Sequence, residues 1–138
     1  MDHEQNRIGF AEFVAWESRD PYDPELINDA RAWTWTYEAE HSLLEVETGG
    51  RAIVRGGRDG IRFRVERRDG MPGLYMEIDG REVRVVRILW HTHPEVTGPS
   101  DGDLETLAIL GQDESRIYEL RGDPHGTLIR PKAGRAGG

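Results

Sequence analysis

The sequence predicts an α/β fold: one domain in which a curved, mixed β-sheet is flanked by helices. Three patterns predict it. Apolar residues recur every three or four positions after Pro24, which marks one face of a helix. Between residues 51 and 90, apolar and charged residues alternate between Asp-Gly pairs spaced by ten, as in a run of hairpins. A second helical stretch, closed by Gly111, follows a loop rich in Pro, Gly and Ser.

Residues 1–23 form an N-terminal extension to which no element is assigned; Phe10, Phe13, Val14 and Trp16 lie among acids there. It ends in Asp20-Pro21-Tyr22-Asp23-Pro24, a loop or helix-start signal. Leu26, Ala30, Trp33, Tyr37, His41 and Leu44 then predict a long helix, whole or broken, over about 24–45. Residues 33–37 also read as an alternating strand, because β-branched and aromatic residues favour sheets. The pairs Asp59-Gly60, Asp69-Gly70 and Asp79-Gly80 delimit a meander with strands at about 51–56, 61–67, 73–78 and 82–90. Ile61, Phe63 and Val65 alternate with Arg62, Arg64 and Glu66, so one face is buried and the arginine-rich face meets water. Between Val85 and Val86 the apolar phase slips, which signals a bulge or burial on both sides. A helix at about 101–110 and strands near 115–120 and 127–130 complete a domain over 24–130. Residues 131–138 read as a flexible tail.

Composition narrows the function. The chain has 138 residues, 36% hydrophobic and 32% charged, with a mean hydropathy of −0.68. That suits one soluble domain and leaves no room for a large barrel. A net charge of −8 argues against nucleic acid and anionic membranes as partners. The absence of cysteine excludes disulfides, thiolate zinc sites and a cysteine nucleophile. Met1 leads into Asp-His-Glu-Gln-Asn rather than a basic and then apolar segment, so a cytoplasmic location is expected.

The chemistry concentrates after Trp90. In His91-Thr92-His93-Pro94 two imidazoles lie two apart at a strand end, on one face and about 6.5–7 Å apart along the strand. That spacing lets both reach one zinc ion. Asp103, on the first turn of the next helix, can return as a third ligand and leave a fourth position for water, the pattern of catalytic zinc. Ser100-Asp101-Gly102-Asp103 equally fits a helix capping box. Ser100 can do both, capping through its oxygen while its hydroxyl faces the metal.

The conjunction of His-x-His-Pro, five residues, and Ser-x-x-Asp resembles the JAMM (JAB1/MPN/Mov34) metalloproteases over roughly residues 37–120. The resemblance implies a JAMM/MPN-like, cytidine-deaminase-like domain acting as a Zn²⁺-dependent peptidase or isopeptidase. His91, His93 and Asp103 would hold the metal. In the family a helix leads to a glutamate, glycine follows, and a small sheet runs on to the histidines. Glu47-Thr48-Gly49-Gly50 takes that place, so Glu47 is the expected general base, with Glu45 as its competitor and a solvated helix-end acid as the plain alternative. Ser100 would stabilise the oxyanion. Inserted segments of the kind that grip ubiquitin in animal and yeast members are not evident. Compact bacterial and archaeal members act on ubiquitin-like or sulfur-carrier proteins or on short peptides, so a protein or peptide is the expected partner. The alternative is a catalytically silent MPN-type interaction module. His41 reads as a packed core residue, His125 as surface, and Trp90 as packing beneath the site.

Overall fold

The computed structural model describes residues 8–95 and 98–131. The chain is mixed α/β and rich in strands. The strands are β1 (Ile8–Phe10), β2 (Glu12–Trp16), β3 (His41–Val46), β4 (Arg51–Arg55), β5 (Gly60–Arg62), β6 (Arg64–Arg68), β7 (Met71–Ile78), β8 (Arg81–His93), β9 (Ser115–Glu119) and β10 (Thr127–Ile129). The helices are α1 (Pro24–Tyr37) and α2 (Asp101–Leu110). The main sheet has eight strands in the order β10-β9-β8-β3-β4-β2, with β7 also paired to β8 and β6 to β7. Among the described residues, no helix is long and apolar enough to cross a membrane.

Strand β8 organises the sheet. One edge pairs antiparallel with β3; the other carries β7 along residues 81–85 and β9 along residues 90–93. The β8–β9 pair is parallel, and α2 lies in the crossover between them, as parallel neighbours require. Neighbouring residues of β3 serve two cores. Leu43 packs with Leu26, Ile27 and Ala30 of α1, whereas Leu44 joins Val85, Ile88 and Met76 on the face that Ile109 and Leu110 of α2 help to cover.

Several expectations hold at the level of the element. Helix α2 has the predicted limits. Asp69 and Gly70 (φ 52° and 78°) and Asp79 and Gly80 (φ 52° and 78°) take the paired left-handed geometry of tight hairpin turns. The bulge is found too: Glu45 pairs Arg87 and Val46 pairs Val85, so Val86 is the extra residue.

Others are corrected. The helix expected to about 45 stops at Tyr37, where Glu38 adopts φ 50°, and His41 opens a strand. Residues 33–37 are helical and do not form the alternating strand. In β3 all residues but Glu45 are buried, since the strand is covered on both faces. Its apolar residues therefore do not alternate, and His41 and Leu44 fall on a helical spacing by coincidence. The meander is smaller than expected, comprising β6, β7 and β8 only. Strand β4 instead pairs with β3 and β2, and Asp59-Gly60 leads into β5, which pairs in parallel with β1. The expected strand at 61–67 is split at Phe63, which points inward. Within the N-terminal extension, β2 adds to the edge of β4. Apart from Pro131, the tail, Gly137 and Gly138 included, lies outside the described residues, as does His3.

Candidate metal centre

Two strands and a helix start converge on one cluster. His91 and His93 occupy alternate positions at the end of β8 and so face the same way. Ser42 pairs with His91, and continuing that antiparallel register sets Glu40, just before β3, opposite His93 on the same face. The backbone of Glu40 is held by Gly57 and Gly56: its N–H donates to Gly57 O at 2.9 Å, and Gly56 N–H donates to Glu40 O at 2.9 Å. Gly56 has to be glycine, because a Cβ there would lie 2.5 Å from Ile61 Cγ1 and 2.6 Å from Gly60 O.

Asp103 arrives from α2. Ser100 Oγ accepts from Asp103 N–H at 3.1 Å while Asp103 Oδ2 accepts from Ser100 N–H at 2.9 Å, a reciprocal capping box. The capping and ligand readings of Asp103 are therefore compatible, because the same carboxylate faces both histidines. Its Oδ1 lies 3.3 Å from His91 Nε2 and its Oδ2 3.3 Å from His93 Nε2. The two Nε2 atoms are 3.1 Å apart, and Glu40 Oε2 lies 3.7 Å from His93 Nε2.

These separations match a metal's requirements. Zinc bonds of about 2.0–2.1 Å at tetrahedral angles put neighbouring donor atoms about 3.3 Å apart. The two imidazole nitrogens are 3.1 Å apart, and each has its own Asp103 oxygen at 3.3 Å, Oδ1 for His91 and Oδ2 for His93. Donor atoms of Glu40, His91, His93 and Asp103 all fall within 4.8 Å of one another. Glu40, His91 and His93 are buried and Asp103 is half-buried, and two carboxyls side by side with so little water call for a cation or a proton. Burial, with the nearby charges of Asp103 and Asp59, pushes Glu40 up to about 9. Burial would raise Asp103 as well, but hydrogen bonds from His91 and His93, the proximity of His91 and the Ser100 N–H outweigh it and hold that carboxyl well below the usual range.

Behind the histidines runs a buried hydroxyl chain. Thr92, between the two ligands, faces the opposite side of the sheet, and its Oγ1 accepts from His41 N–H at 2.9 Å. Thr34 of α1 donates to Ala30 O at 2.8 Å and lies 2.5 Å from Thr92 Oγ1, which leaves Thr92 as the donor between them. His41 Nδ1 reaches Ala39 O at 3.0 Å, and its Nε2 accepts from Arg55 Nε at 3.0 Å. Burial pulls His41 down to about 4. His41 is thus a core residue as expected, although on a strand. Trp90 is buried on the α1 side and donates to Pro21 O at 2.7 Å, while His125 is exposed.

Of the residues expected from sequence, the structure brings together His91, His93 and Asp103, with Ser100 capping the helix beside them. It does not bring Glu47. That residue sits in the β3–β4 turn, where its N–H donates to Arg84 O and its Oε1 accepts from Arg84 N–H at 3.2 Å. At about 3.3 Å per residue, the length of β3 separates it from Glu40 by roughly 20 Å. Glu45, the competitor, pairs with Arg51 and Arg87 in mid-strand and is also remote. The carboxyl at the site is Glu40. Had β3 been read as a strand, its register against β8 would have found it.

Two clefts flank the cluster, and Glu40 lines both. One, small, lies on the His91 side beneath α2. The other, the roomier of the two, lies on the His93 side and includes Ser100, Arg58 and Asp59. No protein-family model, curated protein or solved structure matches this chain.

Proposed function

We propose that the chain is a zinc-dependent metallopeptidase or isopeptidase of the JAMM/MPN type, with His91, His93 and Asp103 as metal ligands and Glu40, in place of Glu47, as general base. One observation carries the reading: two imidazole nitrogens 3.1 Å apart each lie 3.3 Å from an oxygen of the one Asp103 carboxylate, with the buried carboxyl of Glu40 beside them. Three protein ligands leave a position open, as catalytic zinc sites do. When bound, zinc supplies positive charge that makes water acidic and polarises a carbonyl.

The chain's own groups do the rest. The charge of a bound metal would favour the ionised form of Glu40, which would then take a proton from the attacking water and deliver it to the departing amide nitrogen. Ser100 Oγ accepts from the backbone of Asp103, so its own hydrogen can be directed to the developing oxyanion. A cleft borders the cluster on each side, and the substrate in this reading is an extended peptide or the tail of a small protein such as a ubiquitin-like or sulfur-carrier protein. A silent interaction module would need neither Glu40 nor an open fourth position.

Elemental analysis after identical purification and zinc incubation tests the reading. About one zinc per chain is expected in the wild type, with most of it lost in His93→Ala and Asp103→Asn. Glu40→Gln should keep the metal and lose peptide hydrolysis by at least about a hundredfold, whereas Glu47→Gln should keep both. A wild type that takes up no zinc overturns the metallopeptidase reading. An active Glu40→Gln overturns the base assignment alone.

A further inference from the structure

Strand β9 ends in a carboxylate that the metal cluster does not use. Glu119 is half-buried and pairs in parallel register with His93. Paired residues of neighbouring strands point to the same face, so Glu119 shares the cluster's side of the sheet with His93, as Ile117 shares it with His91. The packing agrees: Ile117 joins Leu107 of α2, whereas Tyr118 joins Trp90 on the α1 side. Glu119 is not among the four residues whose donor atoms meet. Its Oε2 instead accepts from Gly98 N–H at 3.1 Å, in the connection that leads from β8 to α2. The carboxylate is itself well anchored. Arg31 of α1 donates through Nε to Glu119 O at 3.0 Å and through Nη2 to Asp123 O at 2.8 Å, which fixes the end of β9 against α1. The turn beyond closes on the side chain, since a Cβ on Gly122 would lie 3.2 Å from Glu119 Cβ and 3.3 Å from its Oε1.

Gly98 takes φ 69°, a left-handed conformation that suits glycine, and two residues later Ser100 caps α2 and holds Asp103 through the capping box. The end of α2 is secured by packing, with Leu107 buried and Ile109 and Leu110 against the core. Its first turn has less to hold it: Asp101 and Gly102 are exposed, and of residues 101–104 only Leu104 joins an apolar cluster. We infer that Glu119 is a positioning residue, whose carboxylate ties the connection at Gly98 in the place from which Asp103 meets His91 and His93. The inference rests on reading those three residues as metal ligands and adds a residue that acts through Asp103. Glu119 serves by accepting a hydrogen bond, so an amide in its place serves as well, whereas a methyl group loosens the connection.

The experiment is a chelator competition on the full chain, which reads the zinc dissociation constant of wild type, Glu119→Ala, Glu119→Gln and Glu114→Ala at a temperature where all four are folded. Glu119→Ala should bind zinc about tenfold more weakly, the scale of effect seen when a group behind a metal ligand is removed. Glu119→Gln keeps an acceptor for Gly98 N–H and should bind zinc close to the wild-type value. Glu114→Ala removes an exposed carboxylate just before β9, paired with Arg130 at 3.8 Å, and should bind as the wild type does. Amide hydrogen exchange of the metal-free proteins is the second readout: Gly98 N–H should exchange faster in Glu119→Ala and at the wild-type rate in Glu119→Gln. Zinc affinity or Gly98 exchange left unchanged by Glu119→Ala overturns the tether and leaves the metal centre standing, as does an equal loss of affinity in Glu119→Gln or Glu114→Ala. A wild type that takes up no zinc overturns the metal centre, and the role of Glu119 falls with it.

Discussion

At the scale of the residue, Thr92 is the joint between the cluster and the rest of the molecule. It sits between two candidate ligands, is fully buried, and joins β8 to His41 of β3 and to Thr34 of α1 through one hydroxyl. Replacing that hydroxyl with a methyl group strands His41 N–H away from water and removes one partner of Thr34 Oγ1, and an unsatisfied buried group costs about 1–3 kcal/mol. Thr92→Val should therefore unfold at lower urea, by about 2 kcal/mol, and Thr92→Ser should recover most of the loss. Because the same bonds hold β3 against the end of β8, Thr92→Val should also weaken zinc binding about tenfold in a chelator competition, an effect in the range seen when outer partners of metal ligands are removed. Equal zinc affinity in Thr92→Val and wild type would reduce the hydroxyl chain to a core contact. The candidate ligands were legible in the sequence because they lie close together, in His91-Thr92-His93 and in Asp103 after the turn. Glu40 was not, because its neighbours in space are fifty residues away in the chain and only strand register brings them together.

At the scale of the element, legibility followed the number of faces that meet water. Helix α2 and the hairpins β6–β7 and β7–β8 each have an exposed side and a strong boundary residue, so their apolar and polar residues separate cleanly. Strand β3, covered on both faces, carries no such alternation, and the helix before it seemed to continue. Misplacing β3 as helix moved the expected base seven residues along, to the turn glycines Gly49 and Gly50. The true neighbour of those glycines is a hairpin, in which Gly49 N–H donates to Val46 O and Gly49 takes φ 100°. The glycines that matter for the cluster are Gly56 and Gly57, which anchor the backbone of Glu40. Gly56→Ala forces a Cβ into Ile61 and Gly60, an overpacking worth about 1–3 kcal/mol. The displaced segment is the partner of Glu40, so the variant should lose peptide hydrolysis more than zinc content. Thermal unfolding, zinc analysis and cleavage rate measured on one sample check this; unchanged stability and rate would mean that the loop yields without moving Glu40.

At the scale of the whole molecule, the face opposite the cluster sets how the fold responds to acid. His41 lies at the meeting of α1, β3, β4 and β8, fully buried, with Trp33 and Tyr37 rings 5.8 and 6.1 Å away and Arg55 donating to its Nε2. The charged and titratable groups that face it are Arg55, whose guanidinium lies 3.6 Å from the centre of the Tyr37 ring, and Tyr37 itself; Thr34 and Thr92 complete the shell. None offers a negative charge, and an imidazolium would have to give up the bond from Arg55. Burial and this cation lower the proton affinity of His41 from the ordinary 6.5 to about 4 in the fold. The unfolded chain then binds the proton more readily than the folded one between those two values. The stability that His41 contributes is complete above pH 6.5 and is lost as the pH falls towards 4, by roughly 3 kcal/mol at about 1.4 kcal/mol per unit. Other groups titrate over the same range, so the measurement is a comparison: urea unfolding at pH 7.5, 5.5 and 4.5, always with chelator, for wild type and His41→Gln. Glutamine keeps an acceptor for Arg55 and cannot take up a proton. The wild type should lose more stability than His41→Gln between pH 7.5 and 4.5, and the gap between the two proteins should narrow or reverse on acidification. Parallel curves would place the proton uptake elsewhere and show that His41 titrates alike in the folded and unfolded chains.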